Sequence, residues 1–400
     1  MDLIQLPPNS LRAGQVLSFA LRDAGGNLLF AAGQPLPNTP QVQALIARGV
    51  WVQAHETKEY QRALAHKMDT LMHQGAVLAD IVKVQADFRQ EKAQKVELGE
   101  QAAWADLQMH AHSLLREPKA EDFKPRFQQL HNDALARLNA KPDAVLLLLI
   151  FESSLNTQSY SDRHALLSLV LAELCARQLG WPEDWRLALT QAALSMNLSI
   201  TAQQDRLASQ QDGPSHAQQQ ALVSHGDRSA ELLGSLGVRS ELWLKTVCLH
   251  HDAGPGPLAG RAPAEQLARV LRRIDIFGAR LSPRRSRQAM AGASAARAVF
   301  LDELKQPDEA GAALIKTTGL YPPGSLVRLA NGEVGMVIKR GHSATEPLVA
   351  SLLGKSGNPL SEPVPRDTRL ASQAIAASLA PHELKLRVNV DKLLKLAGAS

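Results

Sequence analysis

The order of apolar and polar positions divides the chain by period. Between Gly14 and Trp51 the pattern is strand-like and rich in turns. QVLSFAL alternates, Ala24 to Asn27 reads AGGN, and LLFAAG follows as a return strand. Thr39 stands where it would cap a short helix, PQVQALIARG, with Gly49 at the C-terminal cap position, and VWVQA reads as a last strand. From 58 to 141 the period becomes helical on a polar background, with Leu71, Val77, Ile81 and Val84 recurring among Gln, Lys and Glu. That stretch predicts a helical connector or a dimer-forming coil. From Asp143 to about Leu304 the 3–4 apolar spacing is nearly continuous, broken by polar stretches at Ser199 to Gln219 and Gly254 to Pro263. From Gly319 the period drops to two. SLVRLANGEVGMVIKRG is a strand, an Asn331-Gly332 hairpin turn and a second strand, and VDKLLKLAG closes the chain as a helix. The expectation is a mainly α protein: a small α+β module (1–57), a helical connector (58–141), a helical domain (142–318) and a C-terminal β-hairpin extension with a tail helix (319–400).

Composition narrows the function classes. The apolar fraction of 45% and charged fraction of 21% are those of an ordinary globular chain and exclude wholesale disorder. The net charge of +5 is spread over 400 residues, so it does not point to DNA. Cys175 and Cys248 cannot build a disulfide framework or a cysteine-rich zinc site, and both read as buried free thiols. The start of the chain lacks a basic region followed by an apolar stretch. The longest apolar run, Ala144 to Phe151, falls short of the roughly 20 residues of a membrane helix. The expectation is a cytoplasmic protein with no membrane span.

Candidate chemistry concentrates in histidines of the helical block. His164 opens HALLSLVLAELCARQLG, His225 opens HGDRSAELLGSLG, and His250 and His251 end LWLKTVCLHHD ahead of Asp252. Asp275 lies among Val270, Leu271, Ile274, Ile276 and Phe277, where a carboxylate is costly to bury unless paired or metal-bound. Histidines and an aspartate on separate helices facing one core are how helical metal hydrolases are built. Taken singly, each histidine also reads as a cap, a surface group or a satisfied core residue. His110, His112 and His131 have no carboxylate or Cys at ligand spacing and read as solvated.

The stretches YSDRH, VSHGDRSAELL, LHHD, RRIDIFGARLSPRRSR and YPPGSLVRLANGEVGMVI, in that order over Thr157 to Ile338, resemble the HD-GYP family of HD-domain metal-dependent phosphohydrolases. The resemblance implies a helical HD-type domain, cyclic di-GMP as the substrate class, a two- or three-iron centre, and a place in bacterial signalling. It implies metal ligation by His164, His225, His250, His251 and Asp275, with Asp252 where the family has a Glu. It also implies phosphate contact by Arg284 and Arg287, in a stretch with seven arginines and one acid between Arg269 and Arg287. A solvated basic helix face is the other reading of those arginines.

The departures lie at the family's defining positions. In AALSMNLSI, Met196 and Asn197 stand where the His-Asp pair belongs, and Ile200 where a lysine is usual. The Gly-Tyr-Pro loop is reduced to HHDAGPGPLAG, and Tyr160 occupies a place where some members carry a further acidic ligand. An aspartate bridge holds two cations together, whereas Asn197 is neutral and a Met196 thioether is a soft ligand poorly matched to iron or manganese. Three readings follow. The first is a catalytically impaired member, holding one divalent transition metal (Fe or Mn) or none, that acts by binding cyclic di-GMP, a related nucleotide, signalling proteins or a second copy of itself. The second is a working phosphodiesterase with an altered mononuclear site, in which Asp252 or Asp275 helps to activate water. The third is a protein-interaction scaffold.

Overall fold

A computed structural model of the chain describes residues 3–6, 11, 14–24, 26, 28–37, 40–53, 99–155, 157–384 and 386–398. Contacts divide it into two units, Met1–Glu97 and Leu98–Ser400. Thr39 and the stretch holding Leu71, Val77, Ile81 and Val84 lie outside the described residues.

Alternation closes the N-terminal sheet. In β4 (Val50–Gln53) Val50 and Val52 are buried while Trp51 and Gln53 are half-buried. The strand pairs antiparallel with β1 (Leu3–Leu6) and with β2 (Leu21–Arg22), which pairs in turn with β3 (Leu28–Phe30). Helix α1 (Pro40–Ala47) lies between β3 and β4 in the chain. Gly49 follows it at φ +100°, the left-handed conformation that ends helices. The expected first strand is mostly irregular. Leu17, Phe19 and Leu21 still point into the core, but before β2 the described backbone of that stretch forms no strand, only the isolated bridge Val16–Pro35 and scattered bonds such as Leu17 N to the Gln34 carbonyl at 2.9 Å.

In the C-terminal unit, helices α2 (Glu100–Arg116) and α3 (Phe123–Ala140) bury Trp104, Leu107, Leu114, Phe123, Phe127, Leu130 and Leu138 in the same core as the later helices. The second half of the expected connector is therefore part of the helical domain. Its apolar stripe looks thin because each helix buries one face only. His131 is not solvated: it is buried, and its Nε2 meets Thr190 Oγ1 at 2.8 Å. The apolar run forms α4 (Pro142–Leu155), and the central helix α5 (Tyr160–Gln178) buries 16 of its 19 residues. Against it pack α6 (Glu183–Ser195), α7 (Thr201–Ser209), α11 (Pro263–Leu281) and α13 (Glu309–Thr318); α10 (Glu241–Leu249) packs on α6 and α11, α12 (Gly292–Phe300) on α11 and α13, α9 (His225–Ser235) on α10, and α8 (His216–Val223) on α9. No helix among the described residues is long and apolar enough to cross a membrane.

The expected hairpin is the first part of a five-stranded antiparallel sheet. It comprises β5 (Leu326–Leu329), β6 (Val334–Lys339), β7 (Leu348–Leu353), β8 (Pro359–Asp367) and β9 (Ile375–Leu379), in the order β8-β7-β6-β5-β9. The later strands were obscured by an apolar run in β7 and by Pro359, Pro363 and Pro365 in β8. The β5–β6 turn is left-handed only at Gly332 (φ +89°), so it is a three-residue loop closed by glycine rather than a two-residue turn. Period two sends Leu326, Met336 and Ala350 to the helical core and Val327, Val337 and Val349 to a second small core on the opposite face. Gly324 (φ +90°) lets the preceding turn lie on α4, because a Cβ there would sit 2.6 Å from the Leu147 carbonyl oxygen. The tail helix α14 (Val390–Gly398) packs its apolar face on α4 and β6.

If α2 and α3 belong to the domain, a chain beginning at Leu98 should unfold cooperatively in urea and one beginning at Lys141 should not. In the full chain Trp104→Ala should cost the C-terminal unit about 3–5 kcal/mol. An unchanged urea midpoint in that variant would return these helices to the status of a connector.

Candidate metal centre

Three imidazoles converge where α9 starts and α10 ends. His225 opens α9 and donates its Nδ1–H to the Leu222 carbonyl at 2.6 Å. His250 follows α10 and donates its Nδ1–H to the Val247 carbonyl, also at 2.6 Å. A carbonyl oxygen only accepts, so both protons sit on Nδ1 and both Nε2 atoms present lone pairs. Those two Nε2 atoms face each other at 3.1 Å. The His251 ring lies 4.7 Å from His225 and 4.2 Å from His250 between centroids, and one ligand atom from each of the three falls within 4.8 Å of the others. Gly226 permits this approach. A Cβ there would meet the Cys248 carbonyl oxygen at 2.8 Å, so any side chain would drive α9 off the end of α10.

Burial disfavours the protonated form of His225 and His250. His250 is fully buried, and burial, reinforced by its two histidine neighbours, pushes its pKa down to about 3. Burial also lowers that of His225. Two lone pairs facing each other with no proton between them are unfavourable unless a cation accepts both. Ligating histidines characteristically tether the other ring N–H to a backbone carbonyl, as these two do. Two nitrogens about 2.0–2.1 Å from one tetrahedral ion lie about 3.3 Å apart, close to the separation here.

His164 and Asp275 form a second pair. His164 on α5 meets Asp275 Oδ1 on α11 through Nε2 at 2.8 Å, and the Tyr160 ring stacks on the imidazole at 5.5 Å. Burial would raise the Asp275 pKa, but the hydrogen bond from His164 and the imidazoles around it outweigh it and hold the carboxyl below its usual range. His164 Nδ1 is buried without a partner among the described residues. Dyad and trio thus share one electrostatic field, yet only the trio brings its ligand atoms together.

The remaining sequence candidates divide. Met196 is buried at the end of α6, and Asn197 uses its backbone carbonyl to accept from Ile200 N and Thr201 Oγ1. Asp252 is exposed in the turn after His251 and is not among the grouped ligands. Cys175 is buried, but Cys248 is half-buried and donates to Asp227, and its thiol is pushed up to about 11 by burial and by Asp227. Arg284 lies over the Tyr160 ring at 5.6 Å and keeps a buried Nε with no partner among the described residues. Arg287 donates to the Ala279 carbonyl at 2.5 Å. Arg269, Arg272 and Arg273 are not a solvated basic face: all three engage Glu303, and Arg269 and Arg273 also engage the buried Asp308.

One cluster escaped the sequence reading. His112 on α2, Asp162 on α5 and Asp205 on α7 bring ligand atoms within 4.8 Å of one another. Gln108 donates to Asp162 at 3.3 Å, and Ser161 donates to Asp205 from its backbone N–H at 2.9 Å and its hydroxyl at 3.0 Å. His112 is therefore not merely solvated. The i, i+4 spacing of Gln108 and His112 was the available signal, but their partner is 50 residues further along.

No protein-family model matches the chain. A curated cyclic di-GMP phosphodiesterase of Pseudomonas aeruginosa is 27% identical over 214 residues, 52% of this chain and 51% of that protein. The chain thus spans about half the length of this relative. A solved structure of an HDG"Y"P protein from Bdellovibrio bacteriovorus aligns with 79% of this chain and 99% of its own, at 13% identity and a TM-score of 0.43.

Gly226→Ala should cost about 1–3 kcal/mol, the usual penalty for overpacking, and should separate the His225 and His250 rings in a crystal structure of the variant. An unchanged ring separation would remove the role given to Gly226. Burial lowers the His131 pKa below the usual 6.5, so the unfolded chain takes up a proton there that the folded chain refuses. Its contribution is complete above that value and is lost as pH falls below it. Urea midpoints measured from pH 7 to pH 5 should therefore fall less in His131→Gln than in the parent.

Proposed function

We propose that this chain, an HD-GYP-type homologue of a cyclic di-GMP phosphodiesterase, holds one divalent transition metal at His225, His250 and His251. We infer that it hydrolyses cyclic di-GMP negligibly and acts in cyclic di-GMP signalling by binding nucleotide or protein. The observation that carries this reading is the pair of facing Nε2 lone pairs in a pocket that resists protonation. An all-imidazole set suits zinc, iron or nickel better than manganese.

A bound cation supplies Lewis-acid polarisation of a phosphoryl oxygen or a water. The neighbouring residues restrict how far that polarisation can be used. A second cation needs a bridging carboxylate, and the positions that would provide the bridge hold Met196 and Asn197. Asp275 is engaged by His164, and Asp252 faces solvent away from the grouped nitrogens. Water activation and the clamping of attacking and leaving oxygens by two ions are thus uncoupled. Arg284 favours nucleotide binding over a pure scaffold, because its Nε has no partner among the described residues and a guanidinium suits a phosphate oxygen; Arg287 lies beside it.

Protein purified without chelator should carry at most one transition metal per chain by mass spectrometry and show no turnover of cyclic di-GMP. Met196→His with Asn197→Asp should raise metal occupancy. Arg284→Ala with Arg287→Ala should weaken dinucleotide binding in calorimetry, most clearly at low salt. Two tightly bound metals with rapid turnover in the parent would sink this reading.

A further inference from the structure

His225 and His250 are each locked by an Nδ1–H bond to a carbonyl one turn back, but among the described residues His251 has no such tether. Its ring packs on those of His225 and His250, and the residue is exposed. What holds it is its backbone. Arg272 Nη1 donates to the His251 carbonyl oxygen, while Nε of the same guanidinium donates to Glu303 Oε1 at 3.0 Å. Glu303 is itself fixed: its Oε2 lies 3.0 Å from Arg269 and 2.9 Å from Arg273. Arg269 donates to the Ala253 carbonyl at 3.0 Å and pairs with Asp308, whose other oxygen caps α13 through Ala310 N at 2.8 Å. The turn carrying His251 is therefore gripped at two carbonyls by α11. Arg272 stands one turn before Asp275 on that helix.

The structure assigns to Arg272 the role of positioning residue for His251, transmitting the rigidity of the Glu303–Asp308 network to the third imidazole of the cluster. This rests on the metal reading of the trio only for its functional meaning. The fork matters because one planar group must meet a carbonyl and a carboxylate in fixed directions, which an ammonium cannot do at once. Arg273 is the built-in control. It shares Glu303 and Asp308 but makes no bond to the histidine turn among its described contacts.

The test compares Arg272→Ala, Arg272→Lys, Arg273→Ala and His250→Ala with the parent, by His251 ring resonances in metal-free protein and by Co(II) titration followed in the visible spectrum. Arg272→Ala should shift and broaden the His251 signals and weaken Co(II) by about tenfold to a hundredfold, the usual cost of losing a group that orients a ligand. Arg272→Lys should fall between Arg272→Ala and the parent, which keeps the test valid if the alanine variant does not fold. Arg273→Ala should lower the melting temperature but move the His251 signals and Co(II) affinity far less than Arg272→Ala does, because it leaves the bond to the His251 carbonyl in place. His251 signals unmoved in Arg272→Ala, or moved as far in Arg273→Ala, would overturn the assignment. If neither the parent nor His250→Ala binds Co(II), the metal reading fails while the resonances still decide the role of Arg272.

Discussion

A helix buried on every side sets the terms for the rest of the C-terminal unit. From Tyr160 to Glu173 helix α5 has no solvent face on which to place its charges, so each must find a partner. Asp162 finds Gln108 and His112 on α2, and His164 finds Asp275 on α11. Glu173, further along, takes Arg177 at 2.6 Å and Arg186 of α6 at 2.5 Å. These polar contacts cost more to break than to omit, because removing one partner strands the other in the core. They give the bundle a defined arrangement that apolar packing alone would leave degenerate.

The candidate centre inherits that order. Its three histidines come from a helix start, a helix end and the turn beyond, and two devices restrain them: a carbonyl tether for His225 and for His250, and a guanidinium for the His251 backbone. Close helix approach at Gly226 brings two of them face to face. All three donors are imidazoles, unlike a set built around a bridging carboxylate. The acid nearest in chemistry, Asp275, already spends its charge on His164.

Much of this was legible in the chain because it is periodic or local. Amphipathic spacing marked the helical domain, alternation marked β5 and β6, and family-like segments marked His164, His225, His250, His251 and Asp275. What stayed hidden depends on contacts distant in sequence. Helices α2 and α3 looked like a connector because the surface they cover belongs to residues far down the chain. His131 looked solvated because its partner, Thr190, is 59 residues away. Arg269, Arg272 and Arg273 looked like a basic face until Glu303 and Asp308, 30 or more residues later, met them. The strands after β6 hid for a different reason: an apolar run and a proline-rich one carry little period of their own.

Those prolines have a consequence for what the C-terminal sheet can join. Pro363 and Pro365 fall on alternate positions of an outer strand, so the amide hydrogens they lack would have pointed to the same side. Because β8 is hydrogen-bonded to β7 on its inner side, the missing donors belong to the free rim. A visiting strand would find carbonyl acceptors there with donors missing beside them, which disfavours extending the sheet at this rim as it extends in an amyloid or a swapped dimer. A molecule that recognises the sheet along β8 would do so through side chains and shape, which leaves its specificity open to evolution one residue at a time.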